Sequence, residues 1–141
     1  MGDELWTCPK CGRSFANRNQ THTCAPLRSL EEAFADTDPA VRLAFDRILA
    51  QVGPVTVLPE KTRVALAVRM SFAAFVPRRR WLDGHLVLAR EAQHPLFRRV
   101  VVFSRRNVVH EFRLTGPAQV DAAFVELLRE AYAVGEQRHL G

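Results

Sequence analysis

Cys8, Cys11, His22 and Cys24 constrain the folding of this chain more than any other residues. They read Cys8-x2-Cys11-x10-His22-x-Cys24 and include all three cysteines of the 141-residue sequence. The segment ending near Pro26 has only Leu5, Trp6 and Phe15 to bury. That is too little for a hydrophobic core, so the segment needs a staple. Three thiolates and an imidazole form a closed tetrahedral set for zinc, and the binding energy is then folding energy. Pro9 presets a turn after Cys8, and Gly12 permits left-handed backbone after Cys11, which suits a knuckle. A single residue separates His22 from Cys24, so the two point the same way only on extended or turned backbone, not on a finger helix. A full ligand set leaves no open position for water, which makes the expected zinc structural. Two rival readings are a redox dithiol, which wants a βαβ setting, and a disulfide, which leaves one cysteine over and needs an oxidising compartment. Unligated thiols are a third.

The formal net charge is +5, and arginine supplies all the basic residues except Lys10 and Lys61. Arginine suits phosphate and base contacts. A GC-rich genome, which favours arginine codons, explains the same bias. No apolar run is long enough to span a membrane. Met1-Gly2-Asp3-Glu4 is acidic without an apolar stretch, unlike a signal peptide. The expected location is the cytoplasm, where thiols stay reduced.

Ser29-Leu30-Glu31-Glu32 is a capping box opening a short helix. Asp38, as N-cap, and Pro39 open a second, whose apolar stripe is Val41, Ala44, Phe45, Ile48, Leu49 and Val52, ending at Gly53-Pro54. Strand patterns follow at 55–58, 63–70, 72–76, 82–89, 100–103 and 108–114, with Asp83-Gly84 reading as a turn. In 63–70, Val64, Leu66, Val68 and Met70 alternate with Arg63, Ala65, Ala67 and Arg69. The gaps are too short for crossover helices, so the sheet is expected to be mostly antiparallel. A last helix carries Val120, Phe124, Leu127, Leu128 and Ala131 and ends near Gly135. The expected fold is α+β: a zinc knuckle at 1–26, then an α+β domain at 27–141. That domain has two helices, a sheet of about five to six strands and a C-terminal helix.

Several motifs stand together in this chain: Trp6-Thr7-Cys8-Pro9-Lys10-Cys11-Gly12-Arg13, Phe15-Ala16-Asn17-Arg18, His22-x-Cys24, Gly53-Pro54-Val55-Thr56, Lys61-Thr62-Arg63 and Arg69-Met70-Ser71-Phe72-Ala73. His94-Pro95, Ser104-x-Arg106-Asn107, His110-x-Phe112-Arg113-Leu114 and Glu130-Ala131-Tyr132 complete the set. By these residues the chain resembles a bacterial family of uncharacterised proteins, a domain of unknown function, over nearly its whole length. The resemblance implies the domain layout and a bacterial cytoplasmic setting, and carries no activity.

Arg63 and Arg69 flank two alanines, with Lys61 just before. They make either a basic cradle for phosphate or carboxylate, or a solvated strand paired with surface acids. Arg78-Arg79-Arg80-Trp81 falls between two strands, where arginines beside a tryptophan suit single-stranded nucleic acid. The competing reading is a solvated turn with Trp81 folded inward. Arg98-Arg99 and Arg105-Arg106 flank an apolar strand and extend a patch or mark strand ends. His110 alternates with Phe112 and Leu114, as a core histidine does. No nucleophile setting, Gly-rich phosphate loop or carboxylate pair stands out. The leading expectation is a non-enzymatic cytoplasmic binding module with nucleic acid as partner. The alternative is a small anionic-ligand or protein-interaction module using the Arg63/Arg69 face. An enzyme using Lys61, Arg63 and His110 is a third class.

Overall fold

The structure, a computed structural model, describes residues 4–19, 22 and 24–138. Met1, Gly2 and Asp3 of the N-terminal reading lie outside them. Two short antiparallel strands, β1 (Trp6–Thr7) and β2 (Ser14–Phe15), come first, then α1 (Leu30–Ala33) and α2 (Pro39–Ala50). Six strands follow: β3 (Thr56–Pro59), β4 (Val64–Ala67), β5 (Ser71–Pro77), β6 (Leu82–Leu88), β7 (Phe97–Ser104) and β8 (Asn107–Leu114). A 3-10 turn (Pro117–Gln119) leads into α3 (Ala122–Gly135). The sheet order is β3-β4-β5-β6-β8-β7, and every neighbouring pair is antiparallel. This is the expected α+β arrangement. Among the described residues, no helix is long and apolar enough to cross a membrane.

The capping box is present. Ser29 Oγ accepts from the Glu32 amide at 3.1 Å, and Glu32 Oε1 accepts from the Ser29 amide at 3.1 Å. Asp38 departs from expectation: it stands at the N-cap of α2, but its side chain makes no capping bond. Its amide instead donates to Arg79 O at 2.7 Å, tying the helix start to the β5–β6 turn.

α2 buries Val41, Ala44, Phe45 and Ile48, and α3 buries Phe124, Leu128, Ala131 and Val134. Both lie on the sheet face that carries Val64, Leu66, Phe75, Leu82, Leu86, Phe112 and Leu114. An aromatic seam runs through this layer. Ring centroids are 5.5 Å apart for Phe45 and Phe75, 6.1 Å for Phe75 and Phe112, and 5.0 Å for Phe112 and Phe124. All three pairs meet edge to face, an arrangement that adds ~0.5–1.5 kcal/mol per pair beyond area burial.

The seam explains Gly84, which is not in a turn but midway along β6, opposite Phe75 on one side and Phe112 on the other. A Cβ there would stand 2.7 Å from Phe112 Cζ and 2.8 Å from Phe75 Cδ1. Glycine is required for lack of space, not for its dihedral freedom.

The strand expected over 63–70 ends at Ala67, where the register with β5 shifts. The amides of Arg69 and Met70 turn to Gly135 O at 2.9 and 3.1 Å, and Arg69 Nε donates to Gln137 Oε1 at 2.9 Å. The α3 terminus captures this corner, so Arg69 leaves the Arg63 face.

His110 is fully buried on the helix side of β8. Its Nδ1 donates to Val108 O at 3.0 Å, and its Nε2 accepts from the Ala92 amide at 2.9 Å. That pairing sets a neutral tautomer and anchors the segment that carries the chain from β6 across to β7. Burial pushes the ring below the usual histidine pKa, outweighing the bonds that favour protonation.

Two outcomes follow. Gly84→Ala should destabilise by about 1–3 kcal/mol through overpacking, read as a shifted denaturant midpoint with unchanged slope. With its folded pKa depressed, His110 contributes stability that is whole above the unfolded value of about 6.5 and is lost as pH falls below it. An NMR titration of the His110 ring with a midpoint at or above 6.5 would contradict this.

Candidate metal centre and basic sheet face

The β1–β2 hairpin shapes the first half of the Cys/His site. The Cys8 amide donates to Arg13 O and the Gly12 amide to Cys8 O, both at 2.8 Å, and Gly12 takes a φ of 74° to close the turn. Cys8, Cys11, His22 and Cys24 converge, with ligand atoms all within 4.8 Å of one another. Cys8 Sγ lies 3.8 Å from Cys24 Sγ, and His22 Nε2 lies 3.4 Å from Cys11 Sγ and 3.5 Å from Cys24 Sγ. A tetrahedral ion with bonds of about 2.3 Å to sulfur and about 2.0–2.1 Å to nitrogen needs edges of about 3.8 and 3.5 Å. The residues present therefore fit, and this Cys3His group can hold a metal ion. The His22 ring is fixed by Phe15, with centroids 4.2 Å apart, and by Trp6 edge-on at 6.1 Å.

Hydrogen bonding, chiefly from the Cys11 amide, holds the Cys8 thiol down to about 6. Cys24 is pushed up, first by burial and then by the neighbouring thiols. Three sulfurs this close disfavour three thiolates until a cation stands between them.

The second feature is the sheet face that α2 and α3 leave open. Ala65 and Ala74 form its floor, flanked by Arg63 just before β4, Asp83 and His85 on β6, Glu111 and Arg113 on β8 and Arg99 on β7. A depression of about 550 Å³ gathers Arg63, His85, Arg98, Arg99 and Arg113 with Asp83 and Glu111. Arg113 Nε donates to Asp83 Oδ1 at 2.8 Å, and Arg78 Nε to Asp83 Oδ2 at 3.2 Å. Burial raises the Asp83 pKa, but these bonds outweigh it and hold the carboxyl below its usual range. Burial and the Arg63 charge lower His85, against Glu111, which leaves a neutral imidazole between cations at neutral pH.

The antiparallel register sorts the sequence candidates. Lys61 and Arg63 lie at the β3–β4 turn, and Arg78, Arg79, Arg80 and Trp81 at the β5–β6 turn, at one end of the sheet. Arg105 and Arg106 form the β7–β8 turn at the opposite end, and Arg69 is held by α3. The structure therefore does not unite Arg63 with Arg69. Trp81 is half-buried, with the Arg113 guanidinium 4.3 Å above its ring, so it is not an open stacking platform. Arg98, Arg99, Arg113 and His85 were not singled out as a group by sequence reasoning, because only the strand order brings them to Arg63.

A family model described as a domain of unknown function, DUF5655, matches residues 30–135, and the chain belongs to that family. Comparisons with curated proteins and with solved structures gave no match.

Purified protein should retain about one divalent ion per chain by elemental analysis, and Cys24→Ser should release it while far-UV dichroism of the rest holds. Full metal retention in Cys24→Ser would show that the ligand set is wrong.

Proposed function

We propose that this chain is a zinc-stapled, non-enzymatic binding module that holds single-stranded nucleic acid along the open face of its sheet. One observation carries the reading: the depressions on this side share residues and form one track. The hollow beside the metal ligands, lined by Trp6, Lys10 and Asn19, shares His22 with the next, which is lined by Phe15, Lys61 and Arg63. That one shares Arg63 with the depression holding Arg98, Arg99 and Arg113. A backbone-tracking row of cations with aromatics at one end is the layout that suits single strands. From β4 to β7 the track crosses four strand spacings, about 19 Å.

Zinc is the metal that fits a closed Cys3His set, and the chain then divides into a knuckle at 1–26 and an α+β domain at 27–141. Three free thiols suit the reducing cytoplasm, and the family resemblance points to a bacterial one. A non-enzymatic role is supported by two of the histidines. His110 spends both ring nitrogens on backbone groups, and His94 accepts from the Leu96 amide at 3.0 Å while its Nε2 meets Asp121 Oδ1 at 3.1 Å. The four arginines of the 550 Å³ depression favour a second reading, a site for a small anionic ligand, now without Arg69.

The Arg63–Glu60 and Arg99–Glu111 pairs, at 2.8 and 3.7 Å, involve exposed arginines and are worth little, so a phosphate can replace them. Fluorescence anisotropy with a labelled oligothymidylate should show affinity falling steeply between 50 and 200 mM salt. Arg63→Ala with Arg98→Ala should flatten the slope by about 0.7 per lost contact. No binding at about micromolar protein in low salt ends the nucleic-acid reading. Competition by inorganic phosphate alone, with no salt slope, would move the assignment to the small-anion site.

A further inference from the structure

β7 is one of the two outer strands of the sheet, and no described strand pairs with its free side. Exposed edges are usually guarded by charged side chains, proline, bulges that twist the edge away or a covering helix, and on β7 the charges and bulges lie at the two ends of the strand, leaving Val100 to Val102 unguarded. The run Phe97-Arg98-Arg99-Val100-Val101-Val102-Phe103-Ser104 has no lysine or proline. Val100 and Val102 pair with His110 and Val108 and so face the helix side, but the long helices pack over β5 and β6. The two valines are left 40% and 55% exposed, and Phe103 is 70% exposed.

The register of β7 against β8 shifts at two places, between Phe97 and Arg99 and between Val102 and Ser104. Arg98 and Phe103 are therefore the extra residues of two bulges, which bracket the regular stretch Arg99 to Val102 and re-aim the Phe103 ring to solvent. Charge completes the pattern. Arg98 and Arg99 stand at one end, and Arg105 and Arg106 at the other. Among the described residues, Arg98, Arg105 and Arg106 make no ion pair, while Arg99 reaches Glu111 at 3.7 Å. The edge is apolar in its middle and positive at both ends.

We propose that β7 accepts an extended segment of a partner protein as a seventh strand, aliphatic at its centre and acidic at both ends. Main-chain bonds to the free edge supply affinity, and alternate side chains meet Val100 and Val102. The flanking carboxylates meet the two arginine pairs. A second copy of this chain does not fit. Antiparallel pairing about Val101 sets Arg98 and Arg99 of each copy near Arg105 and Arg106 of the other, and parallel pairing sets like against like. Like charges directly opposite are destabilising.

The probe is a fluorescein-labelled peptide, Glu-Glu-Val-Thr-Val-Thr-Val-Glu-Glu, beside a matched peptide with lysine ends. The acidic-ended peptide should give saturable anisotropy at least about tenfold tighter than the other and slow hydrogen exchange at those alternate amides of Arg99 to Val102 that face the free edge. Val102→Glu and, independently, Phe103→Glu should weaken it by about tenfold or more, with dichroism and oligothymidylate binding intact. Arg105→Glu combined with Arg106→Glu should narrow the preference for acidic ends. The proposal is overturned by an absence of saturation, by equal affinity for both peptides, or by full binding in both single variants. It is also overturned by a dimer in sedimentation that Val102→Glu dissociates.

Discussion

A six-stranded sheet has two faces, and this chain has two long helices, both packed on one of them. That imbalance governs the rest of the molecule. The covered face is filled with large side chains, and its aromatic seam is dense enough to exclude even a methyl group at Gly84. No described helix covers the other face, and it stays in water by carrying arginines, acids and a histidine over a floor of alanines. Antiparallel sheets tolerate such one-sided solvation. The same shortage of helices leaves β7 uncovered at one edge.

Elements with local signals were legible in the sequence. The Ser29–Glu32 box, the α2 stripe and the strict alternation of Val108, His110, Phe112 and Leu114 all depend on neighbours three, four or two residues away, and all appear where the pattern puts them. What failed depends on distant partners. Arg69 belongs by alternation with Arg63, but the Gly135 carbonyl takes its amide and ends the strand. Asp83-Gly84 has turn composition, but two phenylalanines on neighbouring strands need the space. A continuous run such as Val100 to Phe103 marks a strand without saying whether it lies inside the sheet or at its edge, and this one lies at the edge. The segment from 89 to 96 carries the chain past β6, so β8 takes the inner place and β7 the outer. The convergence of Arg98, Arg99 and Arg113 on Arg63 follows from that exchange of order, and no single-strand pattern encodes it.

The charges on the open face are arranged to be exchangeable. Asp83 is bridged by Arg113 and Arg78, both of whose guanidinium groups also reach water. Its depressed pKa reflects these bonds winning over burial. Arg63 leans on Glu60 in the same way. Such pairs keep arginines extended and oriented at small energetic gain. A phosphate can take over the guanidinium donors without breaking any backbone bond. The fold does not depend on these pairs, since the seam on the other face holds the strands in register.

The Cys/His segment is bound to this arrangement through Glu60. Its carboxylate meets Arg13 at 3.7 Å and Arg63 at 2.8 Å, and its carbonyl accepts from Arg28 Nε at 2.8 Å. The Arg28 amide adds a bond to Pro59 O at 2.7 Å along the β3 edge. Arg13 also donates to Ala25 O, which closes the segment onto itself. The Cys/His segment therefore bears on the open face: it sets where Arg13 can stand, and so how Glu60 divides its charge between Arg13 and Arg63. A dication held there would leave about one negative charge among the three thiolates, which would favour Arg13 staying at the segment rather than over the open face. Arg63 is the residue common to two of the three depressions, and its counterion is shared with the metal segment. The link between the Cys/His segment and the open face runs through that carboxylate.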